Sequence, residues 1–193
     1  MEKEAVVKKG LSVTDKVKLL LMNDLRKFHE TALWNDNESV SLEALNRLAG
    51  TRLLSDKEKN HYFGDTAVFT KHRSVARMAL AQILVSDVDE NEKANHAKHI
   101  AAFTKHEPVA HDAFNYLLES GIDDGDRIKH LYYLVKYAEH EPVAERTLKY
   151  VVEGNFGERS KLLHIRRIAE HSKYESVKKK AMKLLKSHKA RKK

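Results

Sequence analysis

Apolar residues along most of this chain recur at two nested spacings. Within a segment they fall three, four, seven or eight residues apart, which is the period of one helical face. Between segments they return after 34 residues. Val75, Val109, Val143 and Val177 form the clearest ladder. Ala79, Ala113, Thr147 and Ala181 follow four residues later, Leu80, Phe114, Leu148 and Met182 five later, and Ile83, Leu117, Val151 and Leu185 eight later. These offsets predict one helix in each 34-residue unit. Pro108 and Pro142 stand just before it, where a fixed φ and a missing N–H cost little.

A second set of ladders predicts another helix ahead of each of these. Ala94, Ile128 and Leu162 align, then Ala97, Leu131 and Ile165, then Ile100, Leu134 and Ile168. Between helix pairs lies a short polar turn with one apolar residue, Leu54, Val88, Ile122 or Phe156, which reads as a staple onto the core. Ser55 and Glu58 have capping-box spacing. Backward extrapolation gives a long amphipathic helix from Thr14 to Trp34 and a shorter one from Ser41 to Ala49. Their looser match suits a capping unit. With 2 prolines, 7 glycines and no sustained strand alternation, the chain reads as all-α. The expected organisation is a capping pair over 1–54, four repeats over 55–186 and a basic tail over 187–193 that frays.

The second-helix phrase, clearest around Val109 and Val143 as Pro-Val-Ala-x-x-x-Phe or Leu followed by x-x-Leu or Val, resembles the second helix of HEAT and armadillo-like repeats. That resemblance implies a right-handed α-solenoid of about five helix pairs. It also implies a protein that binds other proteins or nucleic acid along a curved surface, without catalysis. The period is nearer that of tetratricopeptide repeats, but their Trp-Leu-Gly-Tyr pattern is missing and proline falls inside the pair.

Composition narrows the setting. No run approaches the roughly 18 apolar residues of a membrane span, and the first residues lack a secretory core, so an intracellular protein, cytoplasmic or in the nucleus or nucleoid, is expected. The absence of cysteine removes disulfides and thiolate chemistry. The net charge of +8 is unevenly placed: residues 159–193 hold 14 Lys and Arg against Glu170 and Glu175, whereas the first 158 hold 22 basic and 26 acidic side chains. The basicity therefore belongs to one end.

Histidine is the other enriched residue, with 12 copies. His96, His130 and His164 form one ladder with Tyr62, and His72, His106 and His140 another with Tyr174. Copies one repeat apart are separated by roughly 10 Å, the spacing of packed helices, too far to share one ion. The first ladder is expected to pack between neighbouring first helices with one ring nitrogen hydrogen-bonded. The pairs His106-Glu107 and His140-Glu141 resemble the iron-binding His-Glu pairs of deoxyhypusine hydroxylase, which would make these four residues metal ligands. That family carries four such pairs, whereas the flanking units here offer His72-Arg73 and Tyr174-Glu175. Capping supplies the alternative, with His ending one helix and Glu beginning the next. The acidic turns at Asp87–Asp89 and Asp123–Asp126 resemble the opening of a calcium loop but lack its glycine and closing glutamate. Acids at helix starts are ordinary caps.

What remains is the exposed ridge of the second helices, the ligand surface that the HEAT resemblance implies. Arg77, His111, Asn115, Arg146 and Lys149 are its candidate protein-binding residues. Toward the carboxy end the ridge turns basic, and Arg166, Arg167, Lys178, Lys179, Lys180, Lys183, Lys186, Lys189 and Arg191 are candidate contacts to the phosphates of a nucleic acid or to another polyanion. The expectation is a non-enzymatic solenoid without cofactor that binds nucleic acid or an acidic protein surface at this end. A protein-binding adaptor is the alternative, and a His-Glu iron enzyme the third.

Overall fold

The computed structural model describes the backbone of residues 13–191 and the side chains of residues 20–188. Ten helices and no strand occur among these residues. They are α1 (Val13–Trp34), α2 (Glu38–Gly50), α3 (Asp56–Phe69), α4 (Arg73–Val85), α5 (Glu90–Phe103), α6 (Glu107–Glu119), α7 (Asp124–Tyr137), α8 (Glu141–Glu153), α9 (Glu158–His171) and α10 (Glu175–Arg191). Each odd-numbered helix packs on the even-numbered one that follows, and odd helices also pack on odd ones and even on even. The result is two layers of helices in an all-α stack of five pairs, the arrangement of a helical-repeat solenoid.

The ladders seen in the sequence are its core. Val75, Val109, Val143 and Val177 are fully buried, as are Ala79, Ala113 and Ala181, with Thr147 nearly so. Thr147 holds an alanine position because its Oγ1 donates to the Val143 carbonyl 3.0 Å away. Leu80, Phe114 and Leu148 are buried, yet their counterpart Met182 is 45% exposed. No described helix pair follows α10 to cover it. Leu54 and Ile122 are buried and pin their turns as expected.

Helix boundaries follow local polar chemistry. The Ser55–Glu58 capping box is present, with Glu58 N–H donating to Ser55 Oγ and Ser55 N–H to Glu58 Oε2. The second helix starts at Glu38, three residues before the expected Ser41, because Asn37 Oδ1 accepts from the amides of Ser39 and Val40. Ser41 is instead buried and donates to the Thr31 carbonyl at 3.2 Å. At the other end α10 continues past Lys186 to Arg191. No described residue has positive φ. The helices end on extended residues, often Thr or Ser, so this chain needs few glycines to turn.

Candidate nucleic-acid interface

The second histidine ladder lies at the turn inside each pair and reaches across to the preceding repeat. His72 Nε2 is 3.0 Å from the Asn35 carbonyl oxygen, His106 Nε2 3.0 Å from that of Thr70, and His140 Nε2 2.8 Å from that of Thr104. Tyr174 replaces the imidazole in the last unit, and its hydroxyl donates to the carbonyls of Ala138 (3.1 Å) and Glu139 (2.5 Å). Each acceptor lies at or just past a helix end, where carbonyls lack intrahelical partners. The threonine two residues before the histidine joins the stitch, since Thr104 Oγ1 donates to the Ala67 carbonyl at 2.8 Å. The expectation that His106 and His140 end the first helix is corrected: each is the N-cap of the second helix, makes no side-chain cap and binds the neighbouring repeat.

This geometry also places the four residues read as alternative metal ligands. The Nε2 atoms of His106 and His140 point at carbonyls, which need an N–H, so they offer no lone pair there. Glu107 faces His111, its Oε1 3.6 Å from Nε2. Glu141 accepts from Ser176. Among the described residues no three His, Asp or Glu side chains are grouped as a metal-ligand set. The acidic turns are caps: Asp89 accepts from Glu92 N–H at 2.9 Å, and Asp123 from Gly125 and Asp126 N–H at 2.8 and 3.0 Å.

The first histidine ladder packs between first helices. His96 sits edge-on to His61 with centroids 5.7 Å apart, and His164 edge-on to Phe156 at 6.1 Å. Burial pulls the pKa values of His29, His96, His99, His130 and His164 below the ordinary imidazole value. Of the repeated hydrogen bonds to the preceding unit, those of the other ladder are the ones that form.

The ridge expected to bind a partner is tied together by contacts between successive even-numbered helices. Arg77 Nε lies 3.0 Å from Asp112 Oδ2. Arg146 bridges back to α6, with Nη1 3.0 Å from His111 Nδ1 and Nη2 2.6 Å from Asn115 Oδ1, while its guanidinium lies 4.7 Å from the Phe114 ring centroid. Lys180 pairs with Glu145. Each of these three links, 77–112, 111–146 and 145–180, joins residues 35 apart. Four of the five ridge candidates therefore hold the stack together, and Lys149 is exposed without being part of that ladder.

At the carboxy end the structure divides the nine candidate cations between the two layers. Arg166 and Arg167 are exposed on α9, while Lys179, Lys180, Lys183 and Lys186 are exposed on α10 and Lys178 is half-buried. The side chains of Lys189 and Arg191 lie outside the described residues. Lys149, Lys180, Lys183 and Arg146 surround one open groove of about 630 Å³ between α8 and α10, floored by Leu148, Val152 and Leu184.

The exposed side of the odd-numbered helices carries a feature that the sequence reading missed. The last residue of α1, α3, α5, α7 and α9 is a ring in every case: Trp34, Phe69, Phe103, Tyr137 and His171. Trp34 is 62% exposed, Phe69 48% and Tyr137 39%. The last four stand 34 residues apart, in register with the buried ladders. An open groove of about 920 Å³ runs beside Phe69 and Phe103, with His61, His96 and His99 along it.

No helix among the described residues is long and apolar enough to cross a membrane. Comparison with family models, with curated proteins and with solved structures finds no match to this chain.

Proposed function

We propose that this solenoid is a non-enzymatic binder of nucleic acid or a comparable polyanion, engaged through its last helix pair. The observation that carries the reading is the charge of that pair. Residues 159–193 hold 14 cations against two acids, and most of the described ones project from α9 and α10 without an acidic partner. A surface needed only for solubility is served by mixed charge. Contacts to about six phosphates make the binding constant fall roughly 1000-fold between 50 and 200 mM salt.

The test is a salt titration of a labelled duplex and a labelled single strand against the parent and against Lys179→Glu, Lys183→Glu, Lys186→Glu combined. These three lysines are exposed and belong to no ion pair in the structure. Lys180 is left alone because its reversal would set two glutamates against each other. A binding constant indifferent to salt, or unchanged in the triple variant, rules the reading out. The groove between α8 and α10 favours a second reading, a protein adaptor that seats an acidic amphipathic helix on Leu148, Val152 and Leu184. Capture of a defined protein that survives the triple variant supports that alternative.

A further inference from the structure

The rings of the odd-numbered helices gather most densely around α7, where Tyr137 and His99 are exposed and Tyr133 and Phe103 are half-buried. Tyr133 and Tyr137 lie 4.6 Å apart by ring centroid, Phe103 lies 6.1 and 6.5 Å from them, and His99 lies 5.5 Å from Tyr133. These separations are within the range of mutual ring packing, so the four rings make one continuous aromatic surface across α5 and α7. Phe103 and Tyr133 each rest partly on the core, while Tyr137 is 39% exposed and the fully buried residues of α7 are Leu131, Leu134 and Val135.

Cations border the rings. Lys98 Nζ is 5.0 Å from the Tyr133 centroid, Lys136 Nζ 5.0 Å from that of Tyr137, and the Arg167 guanidinium 5.9 Å from that of Tyr132. Tyr132 in turn meets His171 edge-on at 5.9 Å. Arg167 belongs to the basic end and brings its charge to Tyr132, the chain neighbour of Tyr133 in α7. Glu170 lies 3.8 Å from His171 at the end of α9. The imidazoles of His99 and His130 are held below their ordinary pKa by burial and by nearby lysines. They act here as flat neutral rings near neutral pH.

We infer that the surface of Phe103, Tyr133 and Tyr137, bordered by Lys98 and Lys136, is a stacking platform for the unpaired bases of a single-stranded nucleic acid. Exposed rings offer π-faces that any base can use, and the cations beside them meet the phosphates. A duplex keeps its bases stacked internally and gains nothing from the rings. The inference rests on the proposed function and specifies its ligand class. An acidic peptide is the competing occupant, but its carboxylates call for cations and not for a run of tyrosines.

The experiment compares three probes on the full chain: a labelled oligothymidylate of about 20 nucleotides, a duplex of the same length, and polyphosphate. Three proteins are used: the parent, Tyr133→Ala with Tyr137→Ala, and Tyr133→Phe with Tyr137→Phe. The expected result is a dissociation constant for the single strand about tenfold or more higher in the alanine pair. It stays within about twofold of the parent in the phenylalanine pair, and polyphosphate binding is the same in all three. Circular dichroism and a thermal midpoint show whether the alanine pair is folded. Should it unfold, photocrosslinking of a 4-thiothymidine strand to the parent decides, with crosslinks expected on the peptide holding Tyr133 and Tyr137. An alanine pair that is folded and binds the single strand like the parent overturns the inference, and so do crosslinks confined to α10. If the Lys179, Lys183, Lys186 variant still abolishes binding in those cases, the proposed function stands without it. A parent that binds none of the three probes overturns both.

Discussion

The imidazole Nε2 of His106 lies 3.0 Å from the carbonyl oxygen of Thr70, the residue that closes α3 one repeat earlier. The relation recurs between His140 and Thr104, and Tyr174 reproduces it toward Ala138 with a hydroxyl. The histidine and the tyrosine occupy the same rung of the ladder. They share a donor at the end of a flat, half-buried ring. The ladder is therefore a polar seam between repeats, and it answers the accounting problem of carbonyls stranded at helix ends.

Removing one rung leaves such a carbonyl half-buried without its donor. His106→Ala is expected to cost about 1–3 kcal/mol, which lowers the thermal midpoint by roughly 2–4 °C per kcal/mol for a chain of this size. His106→Tyr restores a donor and recovers part of that loss, following the precedent of Tyr174. Calorimetry of the two variants beside the parent decides the matter. Equal midpoints for alanine and parent would show that the seam contributes nothing.

Histidines of the odd-numbered helices give the protein a pH dependence of definite sign. His29, His96, His99, His130 and His164 all have pKa values lowered by burial. In the unfolded chain these groups take up protons near the ordinary value of about 6.5, while in the fold they resist. Between the two values the unfolded state binds more protons, so stability rises with pH. It is complete above about pH 7 and declines as the pH falls through about 6.5 toward the lowered folded values. Thermal midpoints at pH 8, 7, 6 and 5.5 are expected to hold across the first step and to fall across the last two. His96→Gln and His130→Gln together shrink the drop, and a flat profile in the parent contradicts the burial of these rings.

The buried half of this molecule was legible because burial repeats. Val109 and its counterparts recur every 34 residues since each helix pair must present the same apolar face to its neighbours. The seam was half legible: His106 and His140 stood out, but the carbonyls they bind belong to the backbone and leave no mark in side-chain identity. Thr104, two residues earlier, was the available clue. Asn37 went unread as a cap because it sits in a polar run, Asn35-Asp36-Asn37-Glu38, with several residues able to start the helix. The contacts along the ridge were illegible for a different reason. Arg77, His111 and Arg146 look like free polar residues in a one-dimensional pattern, and only the 35-residue offset between neighbouring helices reveals that each has a partner one repeat away. Phe69, Phe103 and Tyr137 were overlooked because aromatic residues at helical spacing read as core, and nothing in the sequence says that a helix's last residue points outward.

Arg146 and Lys149 separate a structural cation from a free one on the same helix. The Arg146 fork binds His111 and Asn115 and covers the Phe114 ring, a geometry that a lysine ammonium does not reproduce. Arg146→Lys is expected to lose about 1–2 kcal/mol, built from one or two partly buried hydrogen bonds and the ring contact. Lys149→Ala is expected to leave stability within about 0.5 kcal/mol of the parent, as for other exposed sites, while weakening binding of polyanions at the groove between α8 and α10. Urea titration of both variants checks the first half. A Lys149 variant less stable than the Arg146 one refutes the assignment.

Leu148 and Met182 occupy the same rung of one ladder, yet Leu148 is 5% exposed and Met182 45%. The difference comes from position in the stack, since α9 and α10 lie against α8 and no described helix covers the corresponding side of α10. Leu148→Ala opens a cavity between α8 and its neighbours and is expected to cost about 2–5 kcal/mol. Met182→Ala removes a side chain that is half in water already and is expected to cost well under about 1 kcal/mol. Chemical denaturation of the two single variants measures the gap directly. Equal losses would mean that Met182 is covered in solution, by a second copy or by another chain. Concentration dependence of the Met182 variant's midpoint would then identify the second copy.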